Sequence, residues 1–279
     1  MPAELADEMC ARLGVALPGD IDEIPAFYRA WCERVPFDSI SKALARAEGT
    51  DPPGEPVAFA EQWLATGLGG TCWGHTSAMG AVLERAGVRC RVGLDRYHVD
   101  DRVDLHSFVV VEDGDRRYAC DVTHCSGDPL LIRAGEQGTH PAYPVALVAD
   151  DGRLLHQHVR AHRPGRPTGT YSLLSSDLDA ADVRTFCEIS RVYGMRVLQL
   201  YHRRFTTTEM LDAQPADDGS ALILRRLGPS SSEETPVIDA EEAFAAMGYL
   251  PGALAVAIRA RLVHRADDGA WTYAVAPAA

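Results

Sequence analysis

The chain contains 279 residues and has a formal net charge of −13, from 27 basic and 40 acidic side chains. This excess of negative charge argues against a nucleic-acid partner, because phosphate binding requires clustered positive charge. No stretch approaches the roughly 18 uninterrupted apolar residues of a membrane span, and residues 1–10 lack the apolar region of an export signal. We therefore expect a soluble, cytoplasmic protein with no nucleic-acid and no membrane partner.

Cysteine and lysine usage narrows the chemistry further. The seven cysteines are an odd number with no regular spacing, so we expect most of them to be reduced and buried. Lys42 is the only lysine, and its context, "SISKALARA", resembles neither a Schiff-base lysine nor a phosphate-binding loop. These features argue against pyridoxal-phosphate enzymes and P-loop nucleotide-binding proteins.

The first 95 residues are predicted to be largely helical. Apolar side chains recur at helical spacing behind Asp20, a suitable N-cap; they are Ile24, Phe27, Tyr28 and Trp31. Further helical segments are predicted over 36–47, 58–66 and 72–87, with a loop over 49–57. Gly87 is predicted to end the last of these helices.

After Gly87 the pattern becomes that of β-strands. Short stretches rich in β-branched and aromatic residues occur at 88–99, 105–113, 115–123, 140–150 and 169–174. They predict an antiparallel sheet or a small barrel. A mixed segment follows, with helix in part of 176–200, a strand at 220–228 and a helix at 239–250 behind the N-cap Asp239. Loops are predicted over 162–170, 212–220 and 228–235.

Three side chains typical of nucleophilic catalysis are predicted to meet at one end of this sheet. Cys72 follows the glycine pair Gly69 and Gly70 at the predicted start of a helix. His106 starts one strand and Asp121 ends the next, so a short hairpin turn brings them together. A helix N-terminus and an imidazolium both favour a thiolate, and a carboxylate fixes the orientation of the imidazole. Backbone N–H groups at the helix start can stabilise an oxyanion.

Each of these residues also has a purely structural explanation. Free cysteine is among the most buried residue types, so Cys72 can fill a small space at a tight turn. His106 can be a hydrogen-bonded histidine of the sheet, and Asp121 can cap the turn at a strand end. The joint order of the three residues favours the catalytic interpretation.

A metal site is not predicted. His124 and Cys125 lie beside Asp121, but the spacing of zinc ligands is missing and adjacent ligands are geometrically awkward. His156 and His158 are two residues apart on one strand face without further ligands nearby, so we expect them at the surface.

Several motifs carry a resemblance to a known family. They are "LGGTCWG", "LHSFVVV" and "CDVTHCSGDPLLI", with "ERVPFDSIS" upstream and the weaker "SALILRRLG" and "PVIDAEEAFAAMGYL" downstream. Together they resemble the arylamine N-acetyltransferases, which have the transglutaminase-like cysteine fold. That family carries Arg-Gly-Gly-x-Cys-x-Glu, a strand histidine, and Asp-Val-Gly followed by a Pro-Leu pair. Its upstream segment is Ile-Pro-Phe-Glu-Asn-Leu.

The resemblance implies an N-acyltransferase with a ping-pong mechanism. Cys72 would be the acylated nucleophile, His106 the base and Asp121 the orienting carboxylate. An acyl thioester, either acyl-CoA such as acetyl-CoA or an acyl group on a carrier protein, would load the cysteine. A small-molecule amine would then take the acyl group, with no permanently bound cofactor.

The resemblance also implies an α+β fold in three parts. Residues 1–95 would form a helical bundle that carries the nucleophile, residues 96–190 an antiparallel β-barrel that carries the histidine and the aspartate, and residues 191–279 an α/β lid. Four residues would bind substrate: Phe37, Trp73, Phe108 and His124.

The sequence departs from the family pattern around the expected pocket. Leu68 stands in place of the arginine and Gly74 in place of the glutamate, while Thr123 and His124 replace a glycine and an aromatic residue. The nucleophile machinery therefore carries over better than the specificity. An amide synthase of a biosynthetic pathway is one alternative function. A Cys-His-Asp hydrolase of protease or amidase type is another, and so is a non-catalytic binding protein on the same scaffold.

Overall fold

The structure is a computed structural model that describes residues 1–52, 54–99, 102–124, 127–159, 167–179, 181–186 and 199–275. None of the helices in these ranges is long and apolar enough to cross a membrane. The architecture is α+β, as predicted.

The N-terminal part consists of helices, as the apolar spacing predicts. Asp20 accepts a hydrogen bond from the backbone N–H of Asp22 and caps a 3-10 turn that leads directly into the second helix. The apolar residues that follow Asp20 at helical spacing are all buried. The helices are α1 (Ala3–Leu13), α2 (Ile24–Arg34), α3 (Ile40–Glu48), α4 (Pro56–Thr66) and α5 (Cys72–Arg85).

The central part is a seven-stranded antiparallel sheet. Its strands are β2 (Cys90–Val99), β3 (Arg102–Asp113), β4 (Arg116–Cys120), β5 (Leu130–Leu131), β6 (Val145–Asp150), β7 (Arg153–Val159) and β8 (Pro167–Leu178). Their order in the sheet is β5-β4-β3-β2-β8-β7-β6. Since β5 and β6 are the two ends of this order, the predicted barrel is an open half-barrel in the described part of the chain.

The C-terminal part surrounds a second antiparallel sheet. Residues 181–186 form the described portion of helix α6. The five-stranded sheet has the order β1-β9-β10-β11-β12, with β1 (Phe37–Asp38), β9 (His202–Phe205), β10 (Met210–Pro215), β11 (Leu222–Leu227) and β12 (Ser232–Val237). Helices α7 (Ala240–Ala246) and α8 (Gly252–Arg259) follow, then the hairpin β13 (Val263–Arg265) and β14 (Trp271–Tyr273).

Two apolar cores hold these elements together. One core joins helices α1, α2, α4 and α5 to the inner face of the seven-stranded sheet. The other core is formed mainly by the C-terminal elements, but it includes Ile40 of α3 and Leu68, which precedes the glycine pair. Because β1 pairs with β9 and Phe37 of β1 also forms a parallel bridge with Gly70, the segment that leads to Cys72 is joined to the C-terminal sheet.

Several boundaries differ from the predicted ones. Of the loop expected over 162–170, residues 162–166 lie outside the described residues, and the rest belongs to β8, which begins at Pro167. The segments 212–220 and 228–235 were expected to be loops, but β10 extends to Pro215 and β12 begins at Ser232. In both cases cross-strand pairing with β11 holds polar residues in a strand, which a local propensity cannot reveal. The expected helix over part of 176–200 is confirmed at 181–186, and residues 187–198, including Cys187, lie outside the described residues.

Candidate active site

Cys72 is the first residue of α5, directly after the N-cap Thr71. The loop before it passes so close to the N-terminal chain that only glycine fits at position 69. A Cβ atom on Gly69 would lie 1.7 Å from the carbonyl oxygen of Pro36. The glycine pair therefore fixes where the helix starts, and with it the position of the thiol at the positive end of the helix dipole.

The buried side chain of Asp38 is hydrogen-bonded to the loop that precedes Cys72. Asp38 is fully buried, and its Oδ2 accepts a hydrogen bond of 2.8 Å from the backbone N–H of Gly69, while Oδ1 accepts one of 3.1 Å from Ile40. Burial raises the pKa of Asp38 to about 7, against the opposing effect of these N–H donors. The side chain of Tyr249 also hydrogen-bonds to Asp38, and His202 Nδ1 lies 2.8 Å from the Tyr249 hydroxyl. The nucleophile loop thus rests on a polar network that reaches into the C-terminal part.

His75, one turn after Cys72, is a second internal support. Its Nδ1 accepts a hydrogen bond of 3.0 Å from the Trp31 indole N–H, and its Nε2 lies 3.0 Å from the carbonyl oxygen of Pro36, to which it donates. Burial lowers the pKa of His75 to about 4, so the ring is neutral and its tautomer is fixed by these two partners. His75 therefore ties α5 to α2 and to the segment before β1.

The sheet brings an imidazole and a carboxylate to the thiol. His106 lies on β3 and Asp121 follows the last residue of β4. His106 Nε2 lies 2.8 Å from Asp121 Oδ2, and both side chains are buried. His106 is an interior residue of β3 rather than its first, because β3 begins four residues earlier, at Arg102. The thiol of Cys72 hydrogen-bonds to the His106 side chain, which completes a line of thiol, imidazole and carboxylate.

The pKa values along this line are shifted together. Burial alone would raise the pKa of Cys72 and lower that of His106, but the contacts among the three groups outweigh burial. The His106 hydrogen bond and charge lower the pKa of Cys72, and the Asp121 carboxylate raises the pKa of His106 well above its usual value. The histidines beside Asp121 hold the pKa of its carboxyl well below its usual value, although burial opposes this. The arrangement therefore favours a thiolate and an imidazolium next to a carboxylate.

Asp121 is held by more donors than His106 alone. Its Oδ1 accepts hydrogen bonds from the backbone N–H groups of Thr123 (2.9 Å) and His124 (3.2 Å). Its Oδ2 lies 3.1 Å from His124 Nδ1, so two imidazoles share one carboxylate oxygen. The hydroxyl of Tyr28 donates to the backbone carbonyl of Asp121 at 2.6 Å. The sequence predicts His124 as a substrate-binding residue. In the structure, its imidazole contacts the Asp121 carboxylate.

The aromatic residues predicted to bind substrate are placed differently from one another. Trp73 lies in the same buried cluster as Cys72, with Phe37 packed against that cluster. Trp73 stacks on Phe186 at a centroid distance of 6.5 Å, and its indole nitrogen has no hydrogen-bond partner among the described residues. Phe108 belongs to a separate cluster with Val110 and covers Gly93 on the neighbouring strand. Of these three aromatic residues, Phe37 and Trp73 are the ones brought next to Cys72.

The positions that depart from the family pattern are buried in the structure. Leu68 is fully buried in the C-terminal core rather than at a pocket, because the chain turns inward before Gly69. Gly74 is a buried residue inside α5, and Thr123 is buried beside Asp121. Packing of the two halves thus accounts for an apolar residue at position 68.

His106, Asp121 and His124 also form a group of three potential metal ligands whose donor atoms lie within 4.8 Å of one another. The nitrogens and the oxygen that face each other in this group already form two hydrogen bonds. A metal ion would have to displace both of them. Cys125 lies outside the described residues, as do the side chains of His156 and His158, although both of these histidines are on β7.

Sequence reasoning missed several residues around the site. Asp38 and His75 had no distinguishing local signal, although Asp38 lies within the motif "ERVPFDSIS". Tyr171 was placed on a strand but not at the site, where its ring lies 5.6 Å from that of His106 and 4.6 Å from that of His124. Arg203, on β9, was also missed, and its guanidinium lies near the same turn. These contacts join segments far apart in the chain, which local patterns cannot pair.

The site thus combines a thiol at the start of a helix with an imidazole on a strand and a carboxylate directly after the next strand. No protein-family model matches this sequence, and no curated protein sequence matches it. Solved structures do match. The arylamine N-acetyltransferase of Mycobacterium abscessus matches with a TM-score of 0.73 and 15% identity, over 92% of this chain and 94% of that chain.

Two further structures agree with this result. The M. smegmatis arylamine N-acetyltransferase matches with a TM-score of 0.70 and 20% identity, over 90% of this chain and 95% of that chain. The Mycobacterium marinum enzyme in complex with CoA matches with a TM-score of 0.69 and 16% identity, over 88% of this chain and 90% of that chain. The chain therefore has the arylamine N-acetyltransferase fold.

Proposed function

We propose that the protein is a cysteine-dependent N-acyltransferase that moves an acyl group from a thioester to a small-molecule amine. The observation that carries this proposal is the line from the Cys72 thiol through His106 to the Asp121 carboxylate, on an arylamine N-acetyltransferase fold. Cys72 is the nucleophile, His106 the proton carrier and Asp121 the group that orients and stabilises the imidazolium.

The first half of the reaction loads the enzyme. The Cys72 thiolate attacks the carbonyl carbon of the thioester, and the bond between that carbon and the sulfur of the leaving thiol breaks. The His106 imidazolium gives its proton to the departing sulfur and becomes neutral. Backbone N–H groups at the start of α5 are placed to stabilise the oxyanion that forms in between.

The second half unloads the enzyme. The amine nitrogen attacks the acyl carbon of acyl-Cys72, and the neutral His106 takes the proton that this nitrogen loses. The carbon–sulfur bond to Cys72 breaks, and the thiolate and imidazolium are restored. Asp121 stabilises the imidazolium at the end of each cycle, since the carboxylate contacts His106 Nε2 directly.

Acyl-CoA is the proposed acyl donor, because the matching M. marinum structure is a complex with CoA. An acyl group on a carrier protein uses the same thioester chemistry, and an amide synthase differs only in the substrates accepted. We also propose that Phe37, Trp73 and His124 line the substrate pocket, which their proximity to Cys72 and Asp121 supports. We propose that the C-terminal part, described over residues 199–275, acts as a lid, in which Tyr201, directly before β9, meets Phe37.

Intact-mass spectrometry tests the proposal. The protein is incubated with a panel of acyl-CoA thioesters, and we expect a mass increase of one acyl group on Cys72. The Cys72→Ala variant should lose this adduct, and Cys90→Ala should keep it, because the pKa of Cys90 is raised to about 12 by burial. Absence of any adduct from the parent protein would overturn the proposal and favour a binding protein.

A chase of the acyl-enzyme separates transfer from hydrolysis. We expect an aromatic amine to release the acyl group as an amide faster than water releases it as an acid. Release to water at the same rate with or without the amine would assign the protein as a hydrolase instead.

A further inference from the structure

Arg203 places a cation beside the turn that carries Asp121. It lies on β9, and its Nη1 donates a hydrogen bond of 3.4 Å to the carbonyl oxygen of Thr123. The guanidinium also lies over two aromatic rings, at 5.6 Å from the centroid of Tyr143 and 5.5 Å from that of Tyr201. The one hydrogen bond is long for a pair of this type, so Arg203 is held chiefly between rings.

Arg203 is poorly compensated compared with other arginines of the chain. Arg29 and Arg225, for example, contact the carboxylates of Asp128 and Glu234. No ion pair within 4.0 Å includes Arg203 among the residues that the structure describes, and its Nε is buried without a hydrogen-bond partner. Asp212 is its cross-strand neighbour, yet Asp212 Oδ1 also has no hydrogen-bond partner in the described part of the chain.

This lack of compensation has an energetic consequence. A guanidinium carries five N–H donors, and removing it from water without an anion is costly. Burial opposes the charge on Arg203, but the nearby tyrosines and Asp212 raise its pKa, so the guanidinium stays charged. A charged guanidinium that is partly removed from water and has unused hydrogen-bond donors is suited to bind an anionic group.

The position of Arg203 connects this cation to the proposed chemistry. Tyr143, on one side of it, stacks on His124 with centroids 6.5 Å apart and an interplanar angle of 11°. Tyr201, on the other side, meets the edge of Phe37, which packs against the cluster of Cys72. Arg203 is therefore one ring away from the residues proposed to react and to line the pocket.

We propose that Arg203 binds a carboxylate of the substrate, so that the enzyme prefers a substrate with a free carboxylate over its uncharged analogue. The proposal rests on the proposed acyl transfer and adds the substrate class to it. A carboxylate fits because its two oxygens match the planar fork of a guanidinium. The net charge of −13 repels anions at long range, so local pairing with Arg203 is needed to select them.

The carboxylate can belong to either substrate, and the two half-reactions distinguish these sources. Loading of Cys72 is compared for succinyl-CoA and butyryl-CoA, which differ in a terminal carboxylate. Unloading is compared for para-aminobenzoate and its methyl ester. The variants are Arg203→Met, which removes the charge, and Arg203→Lys, which keeps the charge without the fork. Arg226→Met, which breaks an exposed ion pair between Arg226 of β11 and Glu209, is the matched control.

We expect one carboxylated substrate of the two pairs to bind more tightly than its neutral partner. In Arg203→Met this preference should fall about ten- to hundredfold, the size of a charge-assisted hydrogen bond, and in Arg203→Lys by less. In Arg226→Met it should persist. An equal loss for the carboxylated and neutral members would overturn the proposal and leave Arg203 as a support of the Thr123 turn. No preference in the parent protein would also overturn it.

Equilibrium binding keeps this test separate from the test of acyl transfer. Titration calorimetry of the Cys72→Ala variant with para-aminobenzoate and succinyl-CoA, against their neutral partners, needs no turnover. We expect the Cys72→Ala variant to bind a carboxylated ligand more tightly than its neutral partner, and the double variant with Arg203→Met to lose this preference. That result would support the carboxylate site even if no acyl-enzyme forms. Equal affinity for charged and neutral ligands would refute the site even if Cys72 is acylated.

Discussion

At the scale of single residues, the pKa values separate Cys72 from the other thiols. Contact with His106 lowers the pKa of Cys72, while burial raises the pKa of Cys10 to about 11 and that of Cys90 to about 12. Iodoacetamide at about pH 6 should therefore alkylate Cys72 first, since the thiolate is the reactive form. Peptide mass spectrometry identifies the labelled site.

The pH dependence provides the control for this prediction. Alkylation of Cys72 should exceed that of Cys90 at both about pH 6 and about pH 8, because contact with His106 lowers the pKa of Cys72 while burial raises that of Cys90 to about 12. Preferential labelling of Cys90 at the lower pH would contradict the assignment of Cys72 as the activated thiol.

The substitution Asp121→Asn tests the carboxylate at nearly constant shape. An amide cannot stabilise the imidazolium of His106, and its NH2 group would face either both histidines at the Oδ2 position or the two backbone N–H donors at the Oδ1 position. We expect the single-turnover rate of Cys72 acylation to fall roughly a hundredfold or more, by analogy with the larger loss in a serine triad. Circular dichroism must show that the variant is folded. A folded variant that acylates at the parent rate would reduce the site to Cys72 and His106.

At the scale of elements, the loop before α5 depends on a single close approach. In Gly69→Ala the added Cβ meets the backbone of Pro36 at 1.7 Å, so the loop has to move. We expect a loss of unfolding free energy on the order of 2 kcal/mol or more, and a fall of about a hundredfold in acylation rate because the thiol is displaced. Chemical denaturation and single-turnover mass spectrometry measure the two effects.

Gly80→Ala is the matched control on the same helix. Nothing lies within 4 Å of a Cβ placed on Gly80, so alanine should leave the acylation rate unchanged and stabilise α5 by about 0.5–1 kcal/mol. A Gly69→Ala protein as stable and as active as Gly80→Ala would show that the close approach does not position the thiol.

The hydrogen bond between Asp38 of β1 and Gly69, in the loop before α5, predicts that the stability of the protein depends on pH. Burial raises the pKa of Asp38 to about 7, whereas an unfolded aspartate titrates near 4. The native state therefore holds a proton that the unfolded state has lost between these values. The contribution of Asp38 to the free energy of unfolding is therefore fully present below about pH 4. It decreases by roughly 1 kcal/mol per pH unit as the pH rises to about 7.

Asp38→Asn removes this titration. Denaturant unfolding at about pH 5 and pH 7 should show that the variant gains stability relative to the parent protein as the pH rises. Parallel changes of the two proteins over this range would mean that Asp38 is already ionised in the native state at the lower pH.

At the scale of the whole molecule, the two apolar cores are linked through the segment that leads to Cys72. β1 pairs with β9, and Leu68 is buried in the same cluster as Phe244 of α7. We expect Phe244→Ala to lower the unfolding free energy by about 3–5 kcal/mol, as for other buried aromatic residues. In this variant, two unfolding transitions should move together to a lower denaturant concentration. One is followed by the reaction of Cys72 with thiol reagents, and the other by the loss of the helical circular-dichroism signal.

Ile238→Ala is the control for this prediction, because Ile238 is 67% exposed in the same part of the chain. It should change stability by no more than about 0.5 kcal/mol. Two separate transitions in Phe244→Ala, with Cys72 still protected after the first, would show that the C-terminal core unfolds independently of the nucleophile loop.

The sequence by itself determined the features that depend on local spacing. Helical periodicity and the capping residue Asp20 predicted the N-terminal helices, and short stretches rich in β-branched and aromatic residues predicted β2, β3 and β4. The short turn between β3 and β4 fixes the register of these two strands, and this register places His106 near Asp121. The glycine pair before Cys72 marked the start of a helix for the same local reason.

Only the tertiary structure decided which distant segments meet. The pairing of β1 with β9, the burial of Leu68 and the support of Gly69 by Asp38 join residues far apart along the chain. The contact of two histidines with one oxygen of Asp121 also depends on side-chain directions after the strand has ended. Such contacts are set by packing of whole elements, since the free energy of burying their surfaces exceeds the preferences of any short segment.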